Sequence, residues 1–122
     1  MIPKFRAYNP ATNDWYKPEE VFVSDGNIYL DDDDFDELTQ NNDVILMQST
    51  GLFDKNGKEV FEGDVVKLRY TISSDYEFFK VTRLRGGSWR IDNRRRGCEL
   101  WLRNEDCEII GNIYENTELV EG

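Results

Sequence analysis

Six arginines fall within one short stretch: Arg83, Arg85, Arg90, Arg94, Arg95 and Arg96. Only Asp92 opposes them, so segment 83–96 carries net +5, with Trp89 at its middle. Guanidinium groups fork onto phosphate oxygens and an indole stacks on a base, so this composition suits nucleic-acid contact. It suits a salt-bridged contact equally well, and the chain supplies the complement. Asp31 to Glu37 holds six acidic residues in seven, including Asp31, Asp32, Asp33 and Asp34 in a row. Three readings of the arginine segment follow: pairing with the acidic block within or between subunits, nucleic-acid contact, or a solvated loop. The whole-chain charge of −10 counts against nucleic acid, because phosphate electrostatics dominates such binding.

The acidic block has its own alternatives. With Asp32 as position one of a calcium loop, Asp34 and Asp36 fall at three and five. Glu37 then stands where the loop needs glycine, and Asp43 where it needs glutamate, so the pattern fails at its most diagnostic positions. A solvated helix end or a partner contact remains. Nothing else in the chain assembles a catalytic set. There is no histidine, which excludes triads that depend on an imidazole base. There is no phosphate-cradling GxxxxGK[ST]. No pair among the many carboxylates is singled out for glycoside hydrolysis. No cofactor is implied.

The elements that must carry these residues are short strands. Lys4–Tyr8 alternates, Trp15-Tyr16 begins a return, and 19–23 and 27–30 flank the turn Ser24-Asp-Gly-Asn27. Residues 33–40 are expected to form one or two helical turns, with Phe35 and Leu38 inward and an aspartate as cap. Val44–Gln48 is an apolar run of strand length. Asp54-Lys-Asn-Gly57 supplies turn chemistry between Leu52-Phe53 and Val60-Phe61, which predicts a hairpin. Glu62-Gly63-Asp64 is a second turn. Val66, Leu68, Tyr70 and Ile72 then alternate with Val65, Lys67, Arg69 and Thr71, a strand with the first set buried. Segments 76–84, 89–91, 98–103 and 107–114 complete about five strands from residue 60 on, the number of a small barrel. In 98–103, Trp101 lies on the face opposite Cys98, Leu100 and Leu102, which predicts exposure and marks a candidate interface.

Residues 47–66 also carry a family resemblance. Met47-Gln48, Thr50-Gly51-Leu52, Asp54-Lys55-Asn56-Gly57-Lys58-Glu59 and Glu62-Gly63-Asp64-Val65-Val66 resemble the YopX family of bacteriophages and prophages of Gram-positive hosts. Ile109-Ile110-Gly111-Asn112-Ile113-Tyr114-Glu115-Asn116 and the opening Lys4-Phe5-Arg6-Ala7-Tyr8 extend the resemblance over nearly the whole chain. It implies a small, mostly β protein with an SH3-like barrel, encoded by a phage. The family brings no established activity, so no catalytic residues carry over. The arginine-rich segment is not part of the family pattern.

Charge is unevenly placed. Residues 1–64 hold five basic and fifteen acidic side chains, net −10, while residues 65–122 hold ten of each. Cys98 and Cys107 are the only cysteines and read as small strand residues; two thiols without histidine give too few zinc ligands. The start, Met1-Ile-Pro-Lys-Phe-Arg, lacks the apolar region of a leader, and no run approaches a membrane span, so the host cytoplasm is expected.

The sequence therefore predicts a mainly β chain: an N-terminal β region with a short acidic helix in 1–44 and an SH3-like barrel in 45–122. The functional expectation is a non-enzymatic phage accessory protein that binds itself or a host or phage protein, with no membrane association. If blocks 31–37 and 83–96 meet across subunits, the complex weakens with salt. The alternative is a nucleic-acid-binding module using Arg83–Arg96. A third reading is an acidic decoy whose carboxylates at 31–37 imitate DNA phosphates.

Overall fold

The computed structural model describes residues 4–31, 38–116 and 118. The chain divides into two compact units, Met1–Ser49 and Thr50–Gly122.

The first unit contains β1 (Phe5–Asn9), β2 (Asp14–Tyr16), β3 (Val21–Ser24), β4 (Asn27–Asp31), β5 (Leu38–Gln40) and the start of β6 (Ile45–Phe53). β1 pairs antiparallel with β2 on one side and β6 on the other, through Ala7↔Tyr16 and Ala7↔Leu46. β3, β4 and β5 form a separate antiparallel sheet in that order. Its first hairpin turns on Asp25-Gly26, both at positive φ (51° and 80°). That is the geometry an Asp-Gly pair favours between two right-twisted strands. Ala7, Ile28, Leu30 and Val44 make the unit's apolar cluster, with Tyr16, Val21 and Leu46 packed against it. Side-chain amides supplement it: Asn42 accepts from the Ile28 amide at 2.8 Å and donates to Asn27 at 3.0 Å.

The second unit continues β6 and adds β7 (Glu59–Phe61), β8 (Asp64–Arg69), β9 (Tyr76–Arg83), β10 (Trp89–Asp92), β11 (Gly97–Glu99) and β12 (Glu108–Asn112). β6 is hydrogen-bonded to β7, and the remaining five strands form one antiparallel sheet, β11-β10-β9-β8-β12. These short curled strands make the small SH3-like barrel, and the chain as a whole is mainly β. The core is Val60, Val66, Leu68, Phe79, Val81, Ile91, Leu100 and Cys107. Phe79 rather than Phe78 takes the inner side of β9, with no exposed surface at all.

Several expectations are corrected. Leu38–Gln40 is strand β5, not the end of a helix, and the rest of the expected acidic helix lies outside the described residues. β8 stops at Arg69, so Ile72 is not inward-facing; it is 97% exposed in the turn before β9. Val65 is fully buried although it alternates with Val66, so both sides of β8 are covered at its start. The strand expected over 98–103 ends at Glu99 and gives way to a 3-10 turn, Leu100–Leu102. Helical rotation replaces alternation there, so Leu100 is buried while Trp101 and Leu102 both face out.

Candidate functional site

Three of the polar residues that carry the family resemblance, Asp54, Asp64 and Asn112, are turn staples. The Asp54 carboxylate is buried and accepts three backbone N–H bonds, from Asn56 and Lys58 at 2.9 Å and from Ile109 at 3.0 Å. The first two shape the hairpin turn; the third ties it to the beginning of β12, 55 residues away. Burial alone pushes this carboxyl upward, but the three amides and the nearby Lys58 charge outweigh it and hold Asp54 below its ordinary value. Asp64 likewise accepts from the Phe61 amide at 2.8 Å, and Asn112 from the amides of Tyr114 and Glu115 at 3.0 Å. These side chains spend their oxygens on the backbone, which fits structural roles rather than chemistry on a substrate.

The arginine segment is broken up by the fold. Arg83 ends β9, Arg90 lies on β10, Arg85 is in the turn between them, and Arg94–Arg96 follow β10 in a loop. Arg90 is ion-paired with Asp92 at 3.2 Å, and Asp92 also accepts from the Thr82 hydroxyl. Gly97 lies opposite Asp92, and a Cβ there would meet the carboxylate and displace it from its present place beside Arg90. Arg96 is paired with Glu77 at 3.4 Å and stacks over Tyr70. Asn93 accepts from the amides of Arg95 and Arg96 and donates to Glu77 and the Phe78 carbonyl, which fixes the loop. Arg83 packs over the Trp89 ring at 5.9 Å, and Trp89 is half-buried against the core. Arg85, Arg94 and Arg95 are exposed. Of the acidic block, Asp31 ends β4, while Asp32, Asp33 and Asp34 lie outside the described residues.

Trp101 stands 62% exposed and Leu102 55% exposed, side by side on the 3-10 turn. The Trp101 indole N–H donates to the Glu99 carboxylate, which fixes the ring's orientation. Asn104, on the next turn, donates to the Phe53 carbonyl at 2.8 Å and so ties half-exposed Phe53 to the same segment.

One feature is invisible to any scan for clustered charge. A cleft of about 510 Å³ opens at the far end of β8, lined by Arg69, Tyr70, Ile72, Tyr76, Arg103 and Asp106 among others. Arg103 frames it by donating to the carbonyls of Arg69 and Tyr70 at 2.9 Å and to Asp106 at 3.3 Å. Arg69 and Tyr76 meet only through strand register.

The thiols are poor nucleophiles. Burial pushes Cys107 up to about 12, with the neighbouring Cys98 sulfur adding to the shift, and burial raises Cys98 as well. Both are free. Among the described residues no group of three or more His, Cys, Asp or Glu could hold a metal. No helix among them is long and apolar enough to cross a membrane.

Comparison with known proteins places this geometry. The crystal structure of protein EF1440 from Enterococcus faecalis shares 26% identity and a TM-score of 0.67, covering 99% of both chains. The crystal structure of protein yopX from Bacillus subtilis shares 18% identity and a TM-score of 0.68, covering 99% of this chain and all of the other, a likeness of fold. No curated protein matches the chain. The model of the YopX protein family matches residues 4–121, which span the stapled turns, the barrel and the N-terminal strands alike, and the chain belongs to that family.

Proposed function

We propose that this chain is a phage-encoded accessory protein of the host cytoplasm that works by binding protein, a partner or a second copy of itself, and not by catalysis. The phage setting rests on the family to which the chain belongs. The binding reading rests chiefly on one observation: Trp101 and Leu102 project side by side from a turn whose third apolar member, Leu100, is fully buried. Exposed aromatic anchors with a fixed orientation lose little freedom on contact and commonly carry most of an interface's energy. Asp54, Asp64 and Asn112 of the family motif are engaged with backbone amides, and burial raises both thiols, which favours recognition over chemistry on a substrate.

Sedimentation velocity of the pure chain, with affinity capture from nuclease-treated host lysate, tests this with the Trp101→Ala/Leu102→Ser variant. The wild type is expected to show an oligomer or a nuclease-resistant partner that the variant loses. A monomeric wild type without such a partner, or a variant that retains it undiminished, overturns the reading.

A second reading, nucleic-acid contact by Arg83–Arg96, draws on the exposure of Arg85, Arg94 and Arg95. The engagement of Arg90 and Arg96 with Asp92 and Glu77 leaves it the weaker of the two.

A further inference from the structure

The five-stranded sheet of the second unit has two faces, and the outer one differs in chemistry from the arginine segment. Register sets Arg69 opposite Tyr76, Lys67 opposite Phe78 and Val65 opposite Lys80. Because side chains alternate, these six share the face turned away from Val66, Leu68, Phe79 and Val81; it is covered at Val65 and opens toward Arg69 and Tyr76. Tyr76 is 49% exposed. The Lys67 ammonium and the Arg69 guanidinium each lie 4.7 Å from the centroid of its ring.

Two cations therefore flank Tyr76, Lys80 lies farther along the same face, and the carboxylates opposite them are engaged elsewhere. Glu108 lies opposite Lys67 on β12 but pairs with Lys55 at 3.9 Å. Asp92 lies opposite Lys80 on β10 but is bonded to Arg90 and Thr82. Asp106, in the adjoining cleft, is bonded to Arg103. No described carboxylate forms an ion pair with Lys67, Arg69 or Lys80. Two like charges held on one ring repel each other, and an anion between them relieves that repulsion. Beside the ring, the cleft of about 510 Å³, with Tyr70 and Ile72 on its wall, is wide enough for one unpaired base.

We propose that this face binds single-stranded nucleic acid: Lys67 and Arg69 leave the Tyr76 ring for backbone phosphates, and an unpaired base takes their place on the ring at the mouth of the cleft. Lys80, farther along the same face, supplies a third phosphate contact. The arrangement is that of a stacking platform bordered by backbone-tracking cations. A stacked base must be unpaired, so the face selects single strands over duplex. The site is independent of Trp101 and of Arg94 and Arg95, so it goes beyond the protein-binding reading. Its failure leaves that reading untouched.

Fluorescence polarisation with a labelled oligothymidylate of about 15 nucleotides, in about 25 mM salt, reads it directly on the full chain. Binding is expected, with a log–log salt slope of about −2 from three phosphate contacts. Tyr76→Ala should weaken it by about tenfold, and Tyr76→Phe should preserve it, since the phenyl face suffices for stacking. Lys67→Ala/Arg69→Ala should flatten the slope by about one unit or more. Arg94→Ala/Arg95→Ala should bind as the wild type does. All four variants alter exposed or half-exposed side chains, and thermal melting confirms that each is folded. Absence of binding at low salt, equal or tighter binding of a duplex, or full affinity in Tyr76→Ala overturns the proposal. So does loss of binding in Arg94→Ala/Arg95→Ala, which assigns the strand to the arginine segment instead.

Discussion

The first unit and the second are built from strands of similar length, yet they are held together differently. Among its described residues, the first has a four-residue apolar cluster, one member of which is an alanine, supplemented by amide bonds such as Asn42 to Ile28. The second buries an eight-residue cluster around Phe79 and adds a buried carboxylate that holds three backbone amides. Apolar burial contributes in proportion to area, so on the described residues the barrel is expected to be the better-stabilised platform. It is also the unit that carries the candidate contact residues Trp101, Leu102, Lys67, Arg69 and Tyr76. The lesson is one of placement: Trp101, Leu102 and the Tyr76 cations sit on the unit with the larger described core, although the first unit also exposes Phe22 and Val23.

Substitutions can break or sharpen this contrast. The largest effect is expected from Phe79→Ala, which empties the centre of the barrel and should cost about 4 kcal/mol in urea denaturation. A cost of under about 1 kcal/mol would show that the barrel core is not the principal support.

Asp54→Ala should cost about 3 kcal/mol, since it leaves three backbone donors without their acceptor. The pH dependence has a definite sign. The folded carboxyl lies below its ordinary value of 3.8, so its contribution is fully present above that pH. It is lost as pH falls through the folded value, and the gap between wild type and Asp54→Asn should close over that acidic range. A gap that stays constant as the pH is lowered through that range would contradict the stapling role.

Leu30→Ala, in the smaller cluster, should cost about 2 kcal/mol, and amide exchange should show the loss concentrated in β1–β5. Loss spread evenly over β8–β10 would erase the distinction between the units. Smallest is Trp101→Ala, expected to change stability by less than about 0.5 kcal/mol because the ring is exposed. A larger loss would make Trp101 a packing residue and remove the chief support for the protein-binding reading.

What the sequence revealed, and what it hid, follows from the range of the interactions. The turn at Asp54–Gly57 is legible because Asp54 bonds amides two and four residues away. Its bond to Ile109 is not, since that depends on how β12 closes the sheet. Alternation located β8 but could not tell that Val65 is buried along with Val66, or that the strand would end before Ile72. The arginine segment drew attention because its charges are contiguous, and the fold then engages two of them with Asp92 and Glu77. Lys67, Arg69 and Tyr76 are scattered among acidic and apolar neighbours in the sequence. They become one surface only when β8 and β9 pair in a particular register.

The central claim is that the second unit is a stable barrel on which the contact residues are displayed. Native-state hydrogen exchange across the whole chain tests it most directly. The account predicts that amides of Val66, Phe79 and Ile91 exchange only through global unfolding, while those of Ala7, Ile28 and Leu30 exchange through a lower-energy opening. Equal protection in the two sets, or slower exchange in the first unit, would contradict it.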